Sequence, residues 1–149
     1  DRLNEIKSSG RIFFTVGNME YLKHGGRIGK VASVAGSLLG IKPIITLKEG
    51  EIFPSGIGRS RRKTVDKTID LLLAYLAEEK ADIADYSICI GYGYDKEEAV
   101  EFRDRLVSRL KEKGYDIDTI PIFQIGATIG VHTGPYPLGI GVVKKSIRE

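Results

Sequence analysis

With a single cysteine, Cys89, the 149-residue chain can form no internal disulfide. The thiol sits in the apolar run Ile88-Cys89-Ile90, where a buried, inert state in a reducing cytoplasm is expected. Histidines number only two, His24 and His132, and neither has the Cys or carboxylate neighbours that a zinc site requires. No apolar run approaches the roughly 18 residues that cross a bilayer, which excludes a membrane-spanning helix. Charge of one sign barely predominates: 23 Lys and Arg against 20 Asp and Glu leave +3, too little to argue for nucleic acid without a basic stripe. No Ser, Cys or Lys is flanked by an evident base, so covalent catalysis has no candidate pair in sequence. Gly91-Tyr92-Gly93 follows a strand pattern, but Asp95 and Glu97 then occupy the phosphate end, where their charge would repel a nucleotide cofactor. Repeats and low-complexity tracts are lacking too, which excludes a solenoid or a disordered tail.

What is present is the composition of a globular domain, 42% hydrophobic and 29% charged, with length for one core and not two. Residues 1–149 are expected to fold as one unit. The chain opens on Asp1-Arg2 without an initiator Met, as a piece of a longer polypeptide would. Residues 1–10 have the polarity of a linker or helix remnant, and Ile12 to Val16 have the β-branched and aromatic content of a strand. Asn18 can cap a short helix carrying Met19 and Leu22 inward, which Gly25-Gly26 stops. A second helix is predicted from there to Gly40, with Ile28, Val31, Ala35, Leu38 and Leu39 inward and Ala32, Ser33, Gly36 and Ser37 keeping another side thin.

Residues 41–48 and 51–58 form a predicted hairpin about Glu49-Gly50. From Arg61 to Lys80, Val65, Ile69, Leu72, Leu73 and Leu76 mark one face of an amphipathic helix. A buried strand over Tyr86 to Ile90 precedes a capping box, Asp95 with Glu98, opening a helix lined by Ala99, Phe102, Leu106 and Leu110 and closed by Gly114. Strands at 117–123 and 138–144 complete six. The pattern implies an α/β two-layer sandwich, a mixed six-stranded sheet with helices mainly on one face.

Three segments could carry function. Gly25-Gly26-Arg27 could bring backbone N–H groups and a guanidinium to an anion, since glycine has no Cβ to block approach; equally, paired glycines punctuate helices, and spacing alone favours that. His132, in Gly130-Val131-His132-Thr133-Gly134-Pro135, follows an apolar stretch from Ile125, so its ring is expected at the rim of an apolar hollow. There it could bond a carboxylate or serve as acid or base, or be a turn histidine bonded to backbone. Arg59-Ser60-Arg61-Arg62-Lys63 is a solvated helix start or a contact for phosphate or a partner.

Taken together, Met19 to Lys30, Gly40-Ile41-Lys42-Pro43-Ile44, the Arg59 to Lys63 turn and His132-Thr133-Gly134-Pro135 resemble the motifs of the DegV family in family order. Those are bacterial fatty-acid-binding proteins that serve as substrate-carrying subunits of fatty acid kinase. The resemblance implies a protein of two α/β domains, this chain being similar to the second, C-terminal one. It implies an acyl tail in a tunnel and a carboxylate held between domains, largely by the first. By motif match, His132, Thr133 and Gly134 would face the carboxylate region, Arg59 or Arg61 would assist the head group or kinase docking, and Gly25, Gly26 and Arg27 would shape the domain junction. No cofactor is implied beyond the fatty acid ligand, and phosphoryl transfer would belong to the kinase partner. Tyr136-Pro137 departs from the small residues of the family pattern at the pocket mouth. Two alternatives stay open: a small enzyme using His132 as acid or base, and a basic interaction module acting through Arg59 to Lys63.

Overall fold

A computed structural model describes residues 2–35 and 40–145. In chain order the elements are α1 (Arg2–Ser8), β1 (Arg11–Thr15), α2 (Glu20–His24), a 3-10 turn (Gly29–Val31), α3 (Ala32–Ala35), β2 (Lys42–Lys48) and β3 (Glu51–Gly58). Then follow α4 (Arg61–Glu78), a 3-10 turn (Ile83–Asp85), β4 (Tyr86–Tyr92), α5 (Lys96–Glu112), β5 (Ile122–Gln124), α6 (Ala127–Thr133) and β6 (Leu138–Lys144). The strands form one six-stranded sheet in the order β3-β2-β1-β6-β4-β5. Only β4 and β5 run parallel, so the sheet is mixed.

Local chemistry explains most boundaries. The β2–β3 turn takes positive φ at both Glu49 (52°) and Gly50 (80°), the backbone that matches strand twist in a two-residue hairpin. Ser60 caps α4 by accepting from the Lys63 N–H, and Asp95 caps α5 by accepting from the Glu98 N–H at 2.9 Å. Gly114, at φ 85°, follows the end of α5.

The two long helices cover one face. Val65, Ile69, Leu72 and Leu76 of α4 and Ala99, Phe102, Leu106 and Leu110 of α5 are buried in one cluster with Phe13, Ile88, Ile90, Ile140 and Val142 of the sheet. Alternation along each strand sends the intervening residues to the opposite face. There a smaller cluster, Val16, Leu22, Val31 and Ile45 with Phe14, Met19, Ile28 and Ile52, lies under α2 and the first 3-10 turn. Among the described residues, the remainder of that face holds a groove of about 520 Å³ lined by Ile12, Leu47, Cys89, Gly141, Val143 and Phe123, among others. Ile12 is 41% and Phe123 59% exposed, a large apolar exposure for strand residues.

Four expectations change. The strand at 117–123 shrinks to Ile122–Gln124: Pro121 has no N–H to give, and its carbonyl accepts from Ile90 N–H at 2.9 Å while Ile120 is buried before it. The helix running to Gly40 is, in the described part, one 3-10 turn plus Ala32–Ala35; Gly36, Ser37, Leu38 and Leu39 lie outside the described residues. Cys89 is half-buried and not sealed in a core, because its side of β4 belongs to the open face. The stretch after Ile125, read without a helix, contains one, α6, which places His132 in its last turn.

Because Phe102 is fully buried between α5 and the sheet, Phe102→Ala is expected to lower unfolding free energy by about 3–5 kcal/mol through lost transfer and cavity terms. Urea denaturation measures it.

Candidate functional site

The carboxyl end of β1 leads through Val16-Gly17 into Asn18, whose Oδ1 accepts from the Glu20 N–H at 3.0 Å and starts α2. α2 ends in a left-handed cap: Gly26 has φ 65°, Arg27 N–H donates to Leu22 O at 2.8 Å, and Gly26 N–H donates to Lys23 O at 3.1 Å. The second glycine of the pair is therefore spent on the helix cap. The first has a different duty. A Cβ added at Gly25 would overlap Nδ1 of His132, so the α2 terminus and the last turn of α6 touch only because position 25 lacks a side chain.

α6 is closed by Gly134, whose N–H donates to Gly130 O at 2.8 Å and whose φ is 74°. The ring of Tyr21, on α2, lies where a Cβ at Gly134 would fall. Two glycines thus lock α2 onto α6, and they fix His132-Thr133-Gly134 in place. His132 is half-buried, and its Nδ1 is buried without a hydrogen-bond partner among the described residues. Thr133 is buried and donates to Ile129 O at 3.2 Å.

Beside this junction opens a hollow of about 460 Å³ at the end of the sheet, lined by Gly17, Asn18, Tyr21, Lys42, Arg61, Asp95, Glu98, Thr133, Pro135 and Tyr136. Arg61 stands at the start of α4 but is turned inward: Nε donates to Glu98 Oε1 and Nη2 to Oε2, both at 2.8 Å. Lys42 Nζ donates to Gly17 O at 3.3 Å. Tyr136 packs edge-on against Tyr94, with ring centroids 6.3 Å apart.

The sequence-derived site residues divide accordingly. Thr133 and Arg61 line the hollow, and His132 lies behind it against Gly25. Arg27 is exposed and folds back to donate to Gly25 O at 3.1 Å, and Arg59 is exposed at the turn before α4; neither lines the hollow. Tyr21, Lys42, Glu98 and Tyr136 were missed as site residues. Lys42 lies inside a motif already singled out, and Tyr136 marked the departure from the family pattern, so both carried a signal. Glu98 carried only its cap position. Among the described residues no group of three or more His, Cys, Asp or Glu could hold a metal ion, and no helix is long and apolar enough to cross a membrane.

A family model described as "Uncharacterised protein, DegV family" matches residues 1–145. The chain belongs to the DegV family. A DegV domain-containing protein of Clostridium perfringens is 34% identical over 97% of this chain, and a second from the same organism is 36% identical over 96%. The chain spans about half the length of these curated relatives, 48% and 47% respectively. Among solved DegV-like structures, a fatty acid (stearic acid)-binding protein from Eubacterium ventriosum superposes with a TM-score of 0.86 at 44% identity, covering 97% of this chain and 47% of that one. A fatty-acid-binding DegV family protein from Thermus thermophilus gives 0.82 at 26% identity, covering 96% and 48%. The DegV fold expected from the sequence, a mixed six-stranded sheet with helices, is the one observed.

The lock between α2 and α6 is testable by coupling. Gly25→Ala is expected to destabilise by about 1–3 kcal/mol through overpacking, and most of that loss should vanish in a His132→Ala background. Equal losses in both backgrounds, by urea unfolding, would show that the two positions do not meet.

Proposed function

We propose that this chain binds a long-chain fatty acid, with the acyl tail on the uncovered sheet face and the carboxylate toward the hollow that holds Thr133 and Arg61. The observation that carries this is the open apolar groove itself: Ile12, Leu47, Val143 and Phe123 line one side of a sheet whose other side is fully packed. A globular domain rarely leaves such a surface without an occupant. The solved neighbours supply the occupant's chemistry, since one that is 44% identical binds stearic acid. Burying each methylene contributes about 0.8 kcal/mol, so a tail supplies the affinity and a few hydrogen bonds orient the head.

The finer parts go with this proposal. The chain would be the second domain of a two-domain protein whose first domain supplies further carboxylate ligands, consistent with its spanning about half of its relatives. Held tail-first, the acid would present its carboxylate to a cytoplasmic kinase for phosphorylation, and the chain would be a non-catalytic subunit. Arg59, Arg62 and Lys63 are exposed on the turn before α4 and its first turn, free to meet that partner, whereas Arg61 is occupied by Glu98. His132 and Gly134 would hold the shape of the carboxylate end from behind, and Gly25, Gly26 and Arg27 would form the junction.

Mass spectrometry of an organic extract of the purified protein is expected to show fatty acid, and stearate is expected to bind on titration. Val143→Glu, which sets a charge in the groove at a strand position that is only half-buried, should weaken stearate by about tenfold or more while the fold persists. A clean extract together with no binding on titration would sink the proposal.

A further inference from the structure

The hollow contains one arrangement that the fold does not explain. The first turn of α4 carries Arg61, Arg62 and Lys63 and no acidic residue, at the helix end whose dipole repels cations. Two of these point to solvent; Arg61 is drawn in and held by both oxygens of Glu98, across 37 residues of sequence. That fork uses Nε and Nη2. The third guanidinium nitrogen, Nη1, is buried and has no hydrogen-bond partner among the described residues. A buried donor on a permanently charged group is costly to leave unmet, and a guanidinium already fixed at two points loses little freedom when it takes a third bond.

We propose that Glu98 is a positioning residue: it holds Arg61 so that Nη1 faces an oxyanion, the carboxylate of the fatty acid. This rests on the fatty-acid proposal above and assigns a residue to its head-group end. Net charge in the hollow does not by itself select the ligand. Lys42 and Arg61 are balanced by Asp95 and Glu98, so the site begins near neutrality and offers direction more than net attraction. Asp95 is committed to capping α5 through Glu98 N–H, and Lys42 gives one of its three N–H donors to Gly17 O; Arg61 Nη1 is the cationic nitrogen of the hollow that is buried and wholly without a partner among the described residues. Tyr21 and Tyr136 line the same hollow with hydroxyl-bearing rings.

The test turns on sign. Glu98→Gln removes a negative charge beside the site, so simple electrostatics would tighten binding of an acid. Loss of positioning does the opposite. Stearate and 1-octadecanol, the same tail with a neutral head, are titrated against the 149-residue chain, with thermal melts to confirm folding. Wild type is expected to prefer the acid by about tenfold or more, the worth of a charge-assisted bond. Glu98→Gln and Arg61→Gln should each erase that preference by weakening stearate alone, and the double variant should do no more than either. Stearate bound equally or more tightly by Glu98→Gln, or acid and alcohol weakened together, would overturn the positioning role and leave the lipid proposal standing. Failure of the wild type to bind either lipid would overturn both.

Discussion

A sheet of six strands has two faces to cover, and this chain has long helix enough for one. α4 and α5 fill one side with a continuous apolar layer, from Val65 and Ile69 through Phe102 and Leu110. Among the described residues the opposite side is covered by the short α2, a 3-10 turn and α3 over its β1–β2–β3 half. Hydrophobic burial is proportional to area and indifferent to what supplies the second surface, so the uncovered half can be satisfied by a lipid tail as well as by another helix. The asymmetry of the layers thereby leaves the apolar surface on which the fatty-acid proposal rests. It also explains Cys89 and Gly141: a wall under a helix would tend to be filled, whereas here the thiol sits in contact range of the glycine opposite it on β6.

The polar end is built from chain termini of helices rather than from strands. The C-termini of α2 and α6 meet at Gly25, His132 and Gly134, while the N-termini of α4 and α5 meet at Arg61 and Glu98. Helix ends are where backbone groups lack internal partners and where side chains are recruited to settle them. Concentrating two C-termini and two N-termini at one end of the sheet gathers backbone acceptors and donors side by side. Glycine makes the contact close and is irreplaceable for two reasons, φ at Gly26 and Gly134 and space at Gly25.

How far the sequence revealed this depends on which force set each element. In α4 and α5 the apolar period is long and uninterrupted, so Val65 to Leu76 and Ala99 to Leu110 were readable as inner faces, and the Asp95 cap announced a helix start. The hairpin was readable because Glu49-Gly50 has turn chemistry. α6 was not: Ala127 to Thr133 contains Thr, Ile, Gly, Val and Thr, weak helix formers held helical by packing against α2. A strand such as Tyr86 to Tyr92 reads as buried on both sides whenever its outward residues are small, and Ser87, Cys89 and Gly91 are small, so the open face was hidden. The meeting of Arg61 with Glu98, and of Gly25 with His132, is a product of topology that no local pattern carries. Of the residues named by motif match, Thr133 and Arg61 line one hollow, while Arg27 and Arg59 lie outside it, since motif order along the chain does not say which side chains turn inward.

The division between an apolar groove and a balanced polar hollow has a consequence for recognition. A site that won its ligand by net charge would take any anion and would weaken steeply with salt. Here Lys42 and Arg61 are offset by Asp95 and Glu98, so long-range attraction is small and discrimination falls to geometry at short range. In the proposed complex affinity would reside in the tail, where each methylene adds roughly the same increment, and orientation in a guanidinium whose position is fixed by a carboxylate that need not touch the ligand. Under the fatty-acid proposal, separating the two terms would let the polypeptide hold a greasy molecule firmly while leaving its reactive end exposed at the end of the sheet.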